Sequence, residues 1–246
     1  MVLFSREYRE MRLKLEEEAK KEYIGSIRKK FEELLIEFPI FKAMAEGTIP
    51  WQNLQSIIHQ YWLIVYNFPT YLSVVSKRFE NEGLSLNQKI DEKDIAIILR
   101  MLLKDKKSEI GHRLLWKKWA EESGVLLDNR FIQPMEALHS YLLIDVEKYP
   151  IIKAIGDLNI GIEGTVGVLI DGTYNGIMAI SRRGLRRNLS KVGKGWLDVH
   201  KKHDFDEHPI NGLTFVKLCL QGRPDQYVQY QKVLSSIMRT SELFLK

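Results

Sequence analysis

The sequence predicts an all-α fold, a single-domain bundle of seven to eight helices, and three observations carry that expectation. No segment alternates apolar and polar residues with the period of two that a half-buried strand requires. No Asn-Gly turn separates two apolar runs, since Asn175-Gly176 lies in a helix-like context. Long stretches are instead dominated by Lys, Glu, Leu and Arg or by apolar residues at helical spacing, punctuated by Pro39, Pro50, Gly124, Pro150 and Pro224.

Taken in order, residues 1–46 read as N-terminal helix, with breaks expected at Gly25 and at Phe38-Pro39. Ile49-Pro50-Trp51 starts the next helix, with proline close to the first turn. That helix runs to about Glu82 and is apolar nearly all round, so it should be buried, with Pro69 kinking it. Residues 83–94 read as a polar loop. Helical patterns resume over Asp94–Lys104 and over Ser108–Ser123, the second ending at Gly124. Asp128 or Asn129 can cap a helix over Arg130–Lys148. An apolar stretch with interspersed small residues follows from Ile151 to about Arg182, then a basic, glycine-punctuated loop to Lys194. The helix of GWLDVHKKHDFDEHP, a turn at Pro209–Gly212, a short helix to Leu220 and a last helix over Pro224–Phe244 complete the chain. One domain over residues 1–246 is expected, its core with the functional site within 51–222 and its C-terminal helix within 224–246.

Composition excludes several function classes. The 246 residues are 45% hydrophobic and 28% charged, as in an ordinary globular protein rather than a disordered one. A net charge of +5, with no nucleic-acid motif, does not argue for a nucleic-acid partner. The one cysteine, Cys219, excludes an internal disulfide framework and a Cys-rich zinc site. The first residues lack an apolar signal region, and the apolar stretch after Ile151 is broken by Lys153, Asp157, Glu163 and Asp171, which makes it a poor membrane span. A cytoplasmic homodimer acting on a small molecule, away from membrane and nucleic acid, is the expectation.

The residues that carry chemistry lie in three places. On a continuous helix at about 100° per residue, His200, Asp204 and His208 would share one face. Imidazoles and a carboxylate on one stripe suit a first-row transition metal. A hydrated helix with i, i+4 pairs is the other reading, and the residue before Pro209 is disfavoured in a helix. Glu109 and His112 present a Glu-x-x-His pair, as Glu136 and His139 do. Either pair alone also fits a solvated face. Glu163 stands in an otherwise uncharged run, Asn159 to Ile170, where a carboxylate needs a partner or a metal. Gly161, Gly164 and Gly167 around it suit close helix packing. His59, in the aromatic helix, reads as a satisfied or surface residue rather than a ligand. Arg182, Arg183, Arg186 and Arg187 are solvated, or clamp a substrate carboxylate.

With HQYWLIVYNFPTYL, EIGHRLLWKKWAEESGV and the His-x-x-x-Asp helix in place, the chain resembles the haem-oxygenase-like diiron oxidases and oxygenases, iron-containing redox enzymes. They share a helical fold with the TenA-type thiaminases and the pyrroloquinoline-quinone synthesis oxidase. The resemblance spans roughly residues 50 to 210. It implies a two-iron site held by Glu109, His112, Glu163, His200, Asp204 and His208, with Glu163 central. It also implies O2 as co-substrate, and an amino-acid- or fatty-acid-like substrate undergoing N-oxygenation, desaturation or C–C cleavage. The longer spacing of some members would select Asp105 in place of Glu109. Three residues separate Asp204 from His208, where two are commoner and Glu207 would stand. Ile162 occupies the place of the tyrosine found in members that supply p-aminobenzoate. Two alternatives stay open. One is a metal-independent hydrolase or cofactor-free oxidase of the same fold, the thiaminase form needing a cysteine nucleophile in its pocket. The other is a non-catalytic helical binding protein.

Overall fold

The computed structural model describes residues 6–86, 92–203 and 207–246, and side chains within 10–82, 95–201 and 207–246. Among the described residues there are nine helices and no strand. They are α1 (6–37), α2 (Pro39–Ala45), α3 (Trp51–Leu86), α4 (Glu92–Glu122), α5 (Gln133–Lys148), α6 (151–185), α7 (Gly195–His203), α8 (Glu207–Leu220) and α9 (Gln226–Leu245). No helix among the described residues is long and apolar enough to cross a membrane.

Helices α3 and α4 form the spine, and their side-chain pairings give its direction. Gln55 bonds the Ser123 carbonyl, Trp116 bonds the Ile58 carbonyl, Arg113 lies over Tyr66, and Lys106 bonds Ser73. One set of numbers rises as the other falls, so the helices are antiparallel. Helix α5 lies parallel to α3 on another face, through Ile132 to Gln60, His139 to Tyr71, and Val146 to Arg78. Helix α6, the most buried, crosses the middle of the bundle and packs against α1, α2, α3, α7 and α8.

Small residues let α6 sit that deep. A Cβ on Gly164 would meet Phe31 of α1 at 2.9 Å, and one on Gly161 would meet Thr240 of α9 at 3.1 Å. The expected close-packing role of these two glycines is what the structure has. Gly176 comes nearer still, its Cβ position 1.7 Å from the Met44 carbonyl oxygen.

Several boundaries differ from the sequence expectation. Gly25 does not break α1, which absorbs it in a π-helical turn, Tyr23–Ile27, and ends at Phe38, extended before Pro39. Pro69 lies inside α3 as expected, but the helix passes Gly83 to reach Leu86; residues 87–91 of the expected loop lie outside the described residues. The two helices expected over 94–123 are one, because the charged stretch between them is made of good helix formers and Lys106 reaches across to α3. Neither Asp128 nor Asn129 caps α5, which starts at Gln133 after Ile132; Asp128 instead bonds Arg130 and sits 3.1 Å from His59. The turn expected at Pro209–Gly212 is helical. Helix α8 starts at Glu207, and its first turn accommodates the proline, whose missing N–H has no helical partner to lose there. His200 lies in α7 and His208 in the first described turn of α8; residues 204–206 between them lie outside the described residues.

Candidate functional site

Four titratable side chains are buried where α4, α6 and α7 meet: Glu109 and His112, Glu163, and His200, each 3–5% exposed. Glu163 follows directly on a second π-helical turn, Asp157–Ile162. Such a turn shifts the residues after it around the helix axis, and it occurs often at functional positions. Glu109, Glu163 and His200 border one cavity, whose wall is otherwise apolar and includes Phe68, Trp116, Trp119, Val166, Trp196 and Phe244.

The tryptophans fix His200. Trp196 stacks on its ring with centroids 3.8 Å apart, and Trp116 meets Trp196 edge-on at 4.4 Å. One turn back, the Trp196 carbonyl lies 2.8 Å from His200 Nδ1. A carbonyl only accepts, so Nδ1 carries the hydrogen and Nε2 the lone pair of the neutral ring. The ring is neutral because burial, then the neighbouring His112, holds its pKa well below the usual imidazole range. The His112 ring centroid is 4.6 Å away.

Glu109 and His112 meet as the i, i+3 spacing requires, with Oε1 2.7 Å from Nδ1. The two atoms are off the line a hydrogen bond needs, so each is buried without a hydrogen-bond partner. Two orphaned donors or acceptors in a dry site are costly unless a further group engages them. That group could be a metal, because the donor set of carboxylates and imidazoles is one that transition metals take.

His208 is partly exposed at the start of α8, and its charge reaches both His200 and Asp105. Burial raises the Asp105 carboxyl above the ordinary range, with His208 and Lys104 opposing and Glu109 and Glu207 adding to the rise. Both candidates for the first carboxylate, Asp105 and Glu109, therefore lie within electrostatic reach of the site. Asp204 lies outside the described residues. Among the described residues, no three His, Cys, Asp or Glu side chains are grouped closely enough to hold a metal ion.

Other candidates have different surroundings. His139 bonds Tyr71 while Glu136 is exposed, so the second Glu-x-x-His is not a joint site. His59 Nε2 lies 3.1 Å from Asp128 without making a hydrogen bond, as His112 Nδ1 does beside Glu109, and its ring packs on Phe131 away from the cavity. The arginines do not border the cavity: Arg183 bonds the Gly47 carbonyl, Arg187 lies 3.6 Å from Glu122, and Arg182 and Arg186 are exposed. Cys219 is fully buried in α8, away from the cavity.

Sequence reasoning missed two features. The cavity wall draws on Tyr61 and Phe244, far apart in the chain, with no local signal to join them. A second buried polar cluster joins α5, α6 and α9. Lys153 contacts Asp145 and, at 2.8 Å, Asp157, while Tyr141 and Ser236 also donate to Asp157. Its signal was present: Lys153 and Asp157 are four apart in an apolar run, the spacing of a helical ion pair.

No family model matches this chain, and no curated protein does. Among solved structures it is similar to a TenA homolog from Pseudomonas syringae pv. tomato, with a TM-score of 0.68 and 18% identity, covering 96% of this chain and 90% of that one. The likeness establishes the fold: an all-helical, TenA-like architecture of the haem-oxygenase-like kind.

Proposed function

We propose that the chain is an enzyme of the non-haem diiron class, using O2 to oxidise a small molecule with an apolar body. One observation carries the reading: Glu109, Glu163 and His200 border one otherwise apolar cavity with His112 buried beside Glu109, and Glu109 Oε1 and His112 Nδ1 make no hydrogen bond. Buried charge is expensive, and metal coordination is one of the arrangements that offset it. Glu109, His112, Glu163 and His200 would hold the metal by drawing together around it, with Asp204 and His208 completing the set and Asp105 standing beside it; no three of the described side chains are grouped closely enough as they stand. Bound iron would supply electrons to O2, chemistry that no side chain here provides.

The chain's own contribution is positional. Trp196 sets the His200 tautomer from its carbonyl and its ring plane by stacking, so Nε2 is the nitrogen offered for coordination. The aromatic wall excludes water, which strengthens electrostatic interactions inside the cavity and protects reactive species from side reactions. A nearly apolar wall binds the body of a substrate, such as the side chain of an amino acid or the chain of a fatty acid, and leaves its reacting bond beside the carboxylates.

The test is oxygen uptake. Chain loaded anaerobically with Fe(II) should consume O2 faster than the same iron in buffer, and Glu163→Ala should remove the difference. Uptake equal to the free-iron control would sink the reading.

A second reading is a metal-independent hydrolase, favoured by the similarity to a TenA homolog. Glu109 and Glu163 would then serve as general acid and base. The cysteine-nucleophile form is disfavoured, because no cysteine borders the cavity. Turnover that persists in a strong chelator would select this reading over the first.

A further inference from the structure

The buried cavity has a neighbour. On the outer side of α3 a surface depression of about 340 Å3 is bordered by Asn53, Ser56, Gln60, Met135, Leu245 and Lys246. Ile57 and Tyr61 border both spaces. From α9, Phe244 borders the inner space, while Leu245 and Lys246 border the outer one. A single wall, made of Ile57, Tyr61 and the last turn of α9, therefore separates them.

That wall closes a small room. The inner space open to water-sized molecules is about 60 Å3. That exceeds the roughly 10–15 Å3 needed to admit a single water but falls far short of the volume of an organic molecule. An organic molecule with the apolar body this wall suits has to displace part of it.

One side-chain hydrogen bond and one ring contact join the two sides of the wall. Tyr61 donates its hydroxyl to the Phe244 carbonyl at 2.6 Å, and the two rings meet edge-on with centroids 4.8 Å apart. Carbonyls in the last turn of a helix have no donor within the helix, so Tyr61 supplies one. If that bond opens, water in the outer depression can take over the carbonyl, so the opening leaves no orphaned group. Phe244 and Leu245 are buried, so the turn opens only as a unit with its end, as helix ends do while the rest stays folded.

We infer that the last turn of α9 is the door between the outer depression and the inner cavity, that Tyr61 is its latch, and that the molecule it admits has an apolar body. The inference rests on the reading of the inner cavity as a ligand chamber, but not on what chemistry occurs there. Losing one hydrogen bond of this kind shifts an opening equilibrium roughly three- to tenfold.

The test is contact quenching of tryptophan by a short brominated alkanol, followed by stopped flow on the full chain without metal. Trp116, Trp119 and Trp196 border the inner cavity and report arrival there, while the partly exposed Trp51 is quenched at once and serves as an internal control. Tyr61→Phe should speed the slow phase at least threefold with Trp51 unaffected. Ile57→Phe, which thickens the shared wall, should slow it at least threefold. Thermal unfolding of both variants checks that they are folded. A slow phase in Tyr61→Phe equal to that of the wild type, or an undiminished one in Ile57→Phe, overturns the door. Because neither metal nor turnover is used, that failure would leave the carboxylate–imidazole site untouched, and a failure to bind iron would leave the door standing.

Discussion

Replacing Asp145 by Asn should stabilise this protein at pH 8, although the change removes a carboxylate that touches a lysine. Asp145 is 0% exposed. Burial, then the adjacent Asp157 carboxylate, push its pKa up to about 7, and the contact with Lys153 offsets only part of that rise. In the unfolded chain an aspartate ionises near pH 4. Between those values the folded state holds a proton that the unfolded state has lost. Stability from this group is therefore fully present below about pH 4, declines as pH rises to about 7, and is flat above. At about 1.4 kcal/mol per pKa unit, the difference is roughly 2–4 kcal/mol once the part shared with Lys153 is allowed for. Asparagine keeps the shape and an acceptor oxygen for Lys153 without the ionisation. Urea unfolding at pH 4.5, 6 and 8 would measure it, through the difference between the two proteins, which cancels every other titrating group. The variant should match the wild type at the lowest pH and exceed it at pH 8. A variant less stable than wild type at pH 8 would mean that the ionised Asp145 is stabilised by Lys153 by more than its burial costs, and would refute the reasoning.

Two glycines of α6, one helical turn apart, should respond in opposite directions. Gly176→Ala puts a methyl 1.7 Å from the Met44 carbonyl oxygen, where backbone must move, and should cost about 3 kcal/mol or more; Gly172→Ala meets nothing within 4 Å and should gain about 0.5–1 kcal/mol in urea melts. Cys219 is fully buried, so a thiol reagent should label it only as fast as the chain unfolds, and Cys219→Ser should leave iron binding unchanged. Rapid labelling of the native chain would contradict the packing of α8.

The helical class was legible because it depends on local pattern, and nothing in the chain competes with that pattern. Glu163 was legible for a related reason: one carboxylate in a run of apolar and small residues needs a partner wherever the fold puts it. The glycines beside it were readable as contacts, although which helices they meet, α1 and α9, is decided by tertiary packing. The face expected to join His200, Asp204 and His208 runs through residues 204–206, which lie outside the described residues, while His208 is helical in α8 although it precedes Pro209. Glu109 and His112 could not be told from the similar pair Glu136 and His139 by sequence. What separates them is that α4 turns the first pair toward α7, while α5 leaves Glu136 in solvent and gives His139 to Tyr71. The Lys153 and Asp157 pair was legible as an i, i+4 spacing, whereas the Ser236 that joins it and the wall shared by Tyr61 and Phe244 depend on helices distant in sequence, and no window along the chain contains them.

The central claim is that Glu109, His112, Glu163 and His200 are a metal-binding set, and the most direct measurement is the iron content of the chain itself. Anaerobic equilibrium dialysis against Fe(II), with metal counted by mass spectrometry, should give about two ions per wild-type chain. It should give close to none for a folded Glu163→Ala/His200→Ala double variant. A wild-type chain that retains no iron, or a double variant that retains as much as the wild type, would contradict the account.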